Sequence, residues 1–223
     1  MKKRVLVVAP HPDDETLGCG GTLLKHNAMG DKIFCLFVTN ISIDQRYGSR
    51  RIAQRQREID SVAKEYGMEK ILKLDYPAAE LDTIPLGHLV EKIQQALVEL
   101  TPSVVYIPNR GDIHSDHTIT FTAAISAIKT FRCPFVQRVM MYETVSESEF
   151  APPLFEAAFL PNSFSDISDF LAKKIEIMQI YKSELGAHPF PRSIENITAL
   201  ATLRGATAGF KYAEAFMMIK ERW

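Results

Sequence analysis

Apolar positions along the chain follow two alternating patterns, and the alternation predicts an α/β protein. Arg4–Ala9 is a continuous, β-branched run of the kind that forms a strand buried on both faces. Helical spacing follows over Thr16–Met29 and stops at Gly30-Asp31. Further strands are predicted at Lys32–Val38, Ile71–Leu74, Val104–Ile107 and Arg138–Tyr142. Between them, Ser49–Tyr66 places Ile52, Ile59, Val62 and Ala63 on one side of a helix that Gly67 caps. Leu86–Leu100 is an amphipathic helix closed by Thr101-Pro102, and Ile119–Phe131 reads as another. Parallel strands need crossovers. The repeating order therefore predicts a Rossmann-like fold with a mostly parallel sheet, strand order 3-2-1-4-5 and helices on both faces. The polar stretch Thr39–Ser49 is expected to be a mobile loop. After Glu143 the pattern loosens at Pro152, Pro153 and Pro161, then helical spacing returns over Ile167–Tyr181 and Ile194–Arg204. The expectation is one domain over residues 1–223, with a core at 1–145 and a C-terminal elaboration at 146–223.

Composition narrows the class. Lys and Arg number 26 against 27 Asp and Glu, so there is no basic footprint and nucleic acid is not an expected partner. Hydrophobic residues make up 46% of 223, enough for a substantial core and too many for a disordered chain. No apolar run approaches the roughly 18 residues that span a bilayer, so no membrane span is expected. Met1-Lys2-Lys3-Arg4 starts like a signal peptide, but Val5–Ala9 is too short for its apolar region and charged residues follow at once. Cys19, Cys35 and Cys133 are odd in number and widely spaced, which suits neither a disulfide framework nor a zinc knuckle. These features predict a cytoplasmic, enzyme-sized protein. The apolar C-terminal part, Ala208-Gly209-Phe210 to Trp223, suggests a homo-oligomer.

Candidate chemistry gathers at one place. In an open doubly wound sheet, ligands bind beyond the carboxyl ends of the strands where strand order reverses. In the expected order strands one and four flank that crevice. His11-Pro12-Asp13-Asp14-Glu15 follows the first, and Asn109-Arg110-Gly111-Asp112-Ile113-His114-Ser115-Asp116-His117 follows the fourth. An imidazole and a carboxylate from one loop, joined by an imidazole from the other, make a three-ligand site that suits zinc with an open position for water. Adjacent Asp13 and Asp14 do not comfortably ligate one ion together, so one of them is free for acid–base work. The acids before the first helix also suit its N-terminus, and Asp116 suits an N-cap. Gly18-Cys19-Gly20-Gly21 fails the dinucleotide fingerprint because Leu23 occupies its third glycine position; these glycines are expected to let the helix approach the sheet. Arg50, Arg51, Arg55 and Arg57 read as the solvated face of a helix.

Ala9-Pro10-His11-Pro12-Asp13-Asp14-Glu15-Thr16-Leu17-Gly18-Cys19-Gly20-Gly21-Thr22 closely resembles the opening signature of the LmbE/PIG-L deacetylases, and His114-Ser115-Asp116-His117 resembles the second half of that family's metal site. Arg55-Gln56-Arg57-Glu58 is similar to its Arg-x-x-Glu helix. The resemblance implies that His11, Asp14 and His117 hold one zinc ion per chain, with iron(II) the other metal such ligands take. It implies that Asp13 is the general base and that His114, as a cation oriented by Asp116, assists the oxyanion or the leaving amine. Arg55 would bind or orient substrate. Tyr181-Lys182-Ser183-Glu184 and His188-Pro189-Phe190-Pro191-Arg192-Ser193 resemble C-terminal segments of bacterial members, which would put His188 and Arg192 along the cleft. The implied substrate is a small amino-sugar conjugate that loses its N-acetyl group. Two alternatives stand beside this reading: a metal-dependent phosphoester hydrolase, which would want two ions, and a sugar- or nucleotide-binding protein without catalysis.

Overall fold

A computed structural model describes residues 2–42 and 46–223. Its first half follows the predicted alternation: β1 (Arg4–Ala9), α1 (Asp14–Ala28), β2 (Lys32–Thr39), α2 (Ser49–Tyr66), β3 (Met68–Tyr76), α3 (Leu86–Leu100), β4 (Val104–Pro108), α4 (Ser115–Ala127) and β5 (Arg138–Tyr142). Then come β6 (Ser163–Asp166), α5 (Leu171–Met178), α6 (Ile194–Ala208) and β7 (Ala213–Glu221). The seven strands form one sheet in the order β3-β2-β1-β4-β5-β7-β6. The first five pair in parallel, and β7 pairs antiparallel to both β5 and β6.

Because strand side chains alternate, β1 feeds two cores. Val5, Val7 and Ala9 pack with Leu17, Leu23, Ile59, Val62 and Ile177 from α1, α2 and α5. Leu6 and Val8 pack with Leu89, Ile93, Leu97, Ala123 and Ala127 from α3 and α4 on the opposite face. Burial on both faces is the physical reason for the uninterrupted apolar run.

The sheet extends the predicted order rather than replacing it, and the differences have causes. β6 and β7 were not expected: Ser163–Asp166 is short and polar, and Ala213–Glu221 contains Ala, Glu, Met and Lys, which favour helix; pairing on both sides makes β7 a strand. That pairing places most of the segment expected to self-associate within the sheet, with Phe210, Ile219 and Trp223 still exposed. The helix expected over Ile167–Tyr181 is confined to Leu171–Met178. α4 begins at Ser115, four residues before Ile119, because the His114 imidazole caps it by accepting the Asp116 N–H. His114, not Asp116, is thus the N-cap. Of the loop expected over Thr39–Ser49, Thr39 closes β2, Ser49 opens α2, and residues 43–45 lie outside the described residues.

Glycine does let α1 approach the sheet. A Cβ on Gly18 would come within 2.2 Å of the Tyr142 ring of β5. The same stretch admits a buried ion pair into the helix ladder. Lys174 of α5 donates to the Leu17 carbonyl (2.8 Å) and to Glu214 of β7 (2.7 Å), and Glu214 accepts the N–H groups of Gly21 and Thr22. No helix among the described residues is long and apolar enough to cross a membrane.

Candidate metal centre and cleft

β1 and β4 are paired neighbours, so the loops that follow them meet. The His11 and His117 rings lie 5.3 Å apart between centroids. Asp14 Oδ2 sits 3.3 Å from His11 Nδ1 and 3.3 Å from His117 Nε2. Donor atoms of His11, Asp14 and His117 all fall within 4.8 Å of one another. His117 Nε2 is buried with no hydrogen-bond partner, while its Nδ1 meets Asp112 at 2.8 Å. An orphaned imidazole nitrogen facing a carboxylate and a second imidazole is what a divalent cation would complete.

The electrostatics agree. Burial opposes charge on both imidazoles, yet the carboxylates around them win: Asp116 and Asp14 push His11 up to about 9, and Asp14 and Asp112 raise His117 well above its ordinary value. Burial likewise opposes charge on Asp14, but the two imidazoles hold its carboxyl far below the usual range. The pocket favours positive charge, whether carried by protons or by a metal.

Asp13 stands beside these groups and outside their ligand geometry. It precedes α1 with φ 143° and ψ −28°, a conformation side chains rarely adopt, and its carboxylate is 3.5 Å from Arg192. Burial raises its pKa well above the ordinary value, reinforced by repulsion from Asp14 and Glu184.

Asp116 differs from expectation. Its carboxylate binds His11 Nε2 at 2.9 Å and accepts the N–H groups of Ala79 and Leu81, whereas His114 Nδ1 is 3.9 Å away. What reaches His114 Nδ1 is the Asp116 backbone N–H, at 3.1 Å. His114 Nδ1 therefore accepts, which leaves the ring proton on Nε2 and the ring neutral; burial lowers its pKa in the same direction. The cationic His114 oriented by the Asp116 side chain is not what the geometry shows.

A cleft of about 260 Å³ opens over the centre, lined by His11, Asp13, Asp14, Arg55, His114 and Arg192, and also by residues with no predicted role. Glu184 joins the walls: it pairs with Arg55, lies 3.4 Å from Arg51 and is 3.7 Å from Arg192. Arg55 also donates to the Pro12 carbonyl at 2.8 Å, bracing the loop that carries Asp13. Arg51 and Arg55 are thus cleft residues and not a solvated face; their i, i+4 spacing was the available signal. Glu147, Asn40 and Tyr47 also line the cleft, without a sequence signature. His188 is exposed and does not line the cleft.

A mostly parallel α/β sheet thus brings a candidate His₂-carboxylate centre, with a further buried carboxylate beside it, to the switch point between β1 and β4. The model of the PIG-L family, GlcNAc-PI de-N-acetylase, matches residues 6–128, and the chain belongs to that family. It is 26% identical to the diacetylchitobiose deacetylase of Thermococcus kodakarensis, over 97% of this chain and 83% of the relative. It is 25% identical to a probable N-acetyl-α-D-glucosaminyl L-malate deacetylase 2 of Bacillus anthracis, over 82% of each. Among solved structures, the conserved protein TT1542 from Thermus thermophilus superposes with a TM-score of 0.80 at 28% identity, covering 99% of this chain and 96% of that one.

Proposed function

We propose that this chain is a metal-dependent N-deacetylase, acting as one domain, that hydrolyses the acetamide of a small N-acetylglucosamine-type conjugate, with one zinc ion held by His11, Asp14 and His117. The observation that carries the reading is the buried, unpartnered Nε2 of His117 facing Asp14, with the Asp13 carboxylate alongside and outside the ligand set.

An amide carbonyl is unreactive and its amine leaves poorly. When bound, the metal supplies a Lewis acid that polarises the carbonyl and acidifies a water near neutral pH. Asp13 takes the proton of the attacking water and returns it to the departing nitrogen, so that acetate and a free amine result. Its raised proton affinity suits both steps. His114, neutral and protonated on Nε2, donates to the oxyanion that develops at the carbonyl. Asp116 acts through His11 and is a positioning residue. Arg55 and Arg192 hold the cleft wall against Glu184 and orient the substrate beside Asp13; His188 has no part.

The phosphoester alternative is disfavoured by the donor sets. Two candidate groups exist among the described residues, and both use His11, which supports one ion and not a pair. The test is acetate release from a panel of N-acetylamino sugar conjugates, with metal content measured and a chelator arm included. Release that chelation abolishes and one equivalent of zinc restores is expected; iron(II) restoring it better would change the metal. No release from any conjugate by metal-loaded protein overturns the function.

A further inference from the structure

The chain after β4 and the chain after β5 are locked together behind the candidate ligands. Asp112 is 2% exposed, and its two oxygens have different duties. Oδ2 faces His117 Nδ1 at 2.8 Å. Oδ1 accepts from Asn109 Nδ2 at 3.0 Å and from the Ser148 hydroxyl at 2.6 Å. Ser148 Oγ in turn accepts the Thr144 N–H, so its own proton goes to Asp112. Beside it the Ile113 N–H donates to the Glu147 carbonyl, and a Cβ on Gly111 would fall 2.1 Å from the Ala157 carbonyl oxygen.

We propose that Asp112 is a positioning residue that fixes the His117 ring proton on Nδ1, leaving Nε2 as the lone pair for the ion, and that Ser148 ties this carboxylate to the loop presenting Glu147 to the cleft. This rests on reading His11, Asp14 and His117 as metal ligands. An imidazole binds metal only through a deprotonated nitrogen, and an acceptor on the other nitrogen selects that tautomer. The asymmetry around Asp112 makes the idea specific. In Asp112→Asn, the two donors at the Oδ1 side demand the amide oxygen, which turns the amide NH₂ toward His117 Nδ1. That nitrogen must then accept, and the proton moves to Nε2, the atom that faces Asp14.

The experiment measures zinc and iron(II) affinity by competition with a chromophoric chelator, together with thermal unfolding and with ¹⁵N shifts of the His117 ring in metal-free protein at a pH high enough to neutralise the imidazole. Asp112→Asn is expected to weaken metal binding about 10–100-fold and to move the ring proton from Nδ1 to Nε2. Ser148→Ala, which removes a half-buried hydroxyl, is expected to weaken binding several-fold with Nδ1 still protonated. Wild-type protein that binds metal, with Asp112→Asn binding within twofold of it or keeping its proton on Nδ1, overturns the inference. If Asp112→Asn does not fold, Ser148→Ala decides, and unchanged affinity there overturns it. A folded wild-type chain that binds neither metal overturns the ligand assignment itself, a separate outcome.

Discussion

Helix α1 touches two buried charge clusters built to opposite ends. Midway along it, Lys174 and Glu214 neutralise each other, and every neighbouring donor and acceptor they need is supplied by the Leu17 carbonyl and the Gly21 and Thr22 N–H groups. At its N-terminus three consecutive acids, Asp13, Asp14 and Glu15, are buried, and Asp14 faces two imidazoles, one with an unpartnered nitrogen. The first cluster is closed and holds C-terminal chain to core. The second keeps an unsatisfied imidazole nitrogen facing a carboxylate, which the proposed metal ion would complete.

The comparison breaks most sharply at Asp13. Asp13→Asn keeps the shape and removes the proposed base, so kcat for acetate release should fall by about 10²–10⁴ while metal affinity stays within a few-fold. Metal loss in parallel with activity would place Asp13 among the ligands instead. At the closed cluster the effect should appear in stability. Lys174→Met leaves Glu214 charged and buried, and urea unfolding should show a loss of about 3–5 kcal/mol. Adding Glu214→Leu should recover only part of it, because Gly21 and Thr22 then lose their acceptor. Full recovery would show that those amide bonds contribute nothing.

The open cluster was far more legible in the sequence than the closed one. His11, Asp14 and His117 stand in dense runs of ligand-type residues directly after two apolar strands, and the parallel order makes those strands neighbours whatever the side-chain details. Lys174 sits in an amphipathic helix like any surface lysine, and nothing local marks its partner 40 residues on. β7 was hidden for a related reason, since its residues favour helix and only its two neighbours make it a strand. Within the site, residue types were readable but pairings were not. Asp116 turns to His11 rather than His114 because its carboxylate also takes the Ala79 and Leu81 N–H groups, a tertiary demand. Glu184 and Arg192 arrive from the C-terminal chain, where loop geometry brings Arg192 to Asp13 and leaves nearby His188 outside.

Glu15 sharpens the comparison, because it is fully buried at the open end yet well supplied with donors. It accepts from the Thr16 hydroxyl, the Asp13 N–H and the Tyr181 hydroxyl, but burial is the larger effect and pushes its pKa from 4.5 up to about 7. The folded state therefore holds the proton more tightly than the unfolded chain. The stability this confers is fully present below about pH 4.5 and is lost as pH rises through 7, a change of about 3 kcal/mol. Denaturant unfolding of chelated protein across that window should show the decline, and Glu15→Gln should flatten it by that amount. An unchanged slope in the variant would mean the three donors hold the carboxylate ionised throughout.

The smallest expected effect isolates the backbone. Asp13 is held at φ 143°, where a Cβ is strained, and such residues cost about 1–3 kcal/mol. Asp13→Ala and Asp13→Gly both remove the buried carboxylate and its repulsion from Asp14, but only glycine relieves the backbone. Glycine also gains roughly 0.5–1 kcal/mol of unfolded-state freedom, which subtracts from the relief. The glycine variant should therefore be more stable than the alanine variant by about 1–2 kcal/mol in metal-free protein, with both inactive. Equal stabilities would mean the α1 N-terminus relaxes once the carboxylate is gone, and that the charge, not the fold, sets the strained turn. A persistent difference would mean the β1–α1 connection imposes it, holding the base where the ion and Arg192 can both reach it.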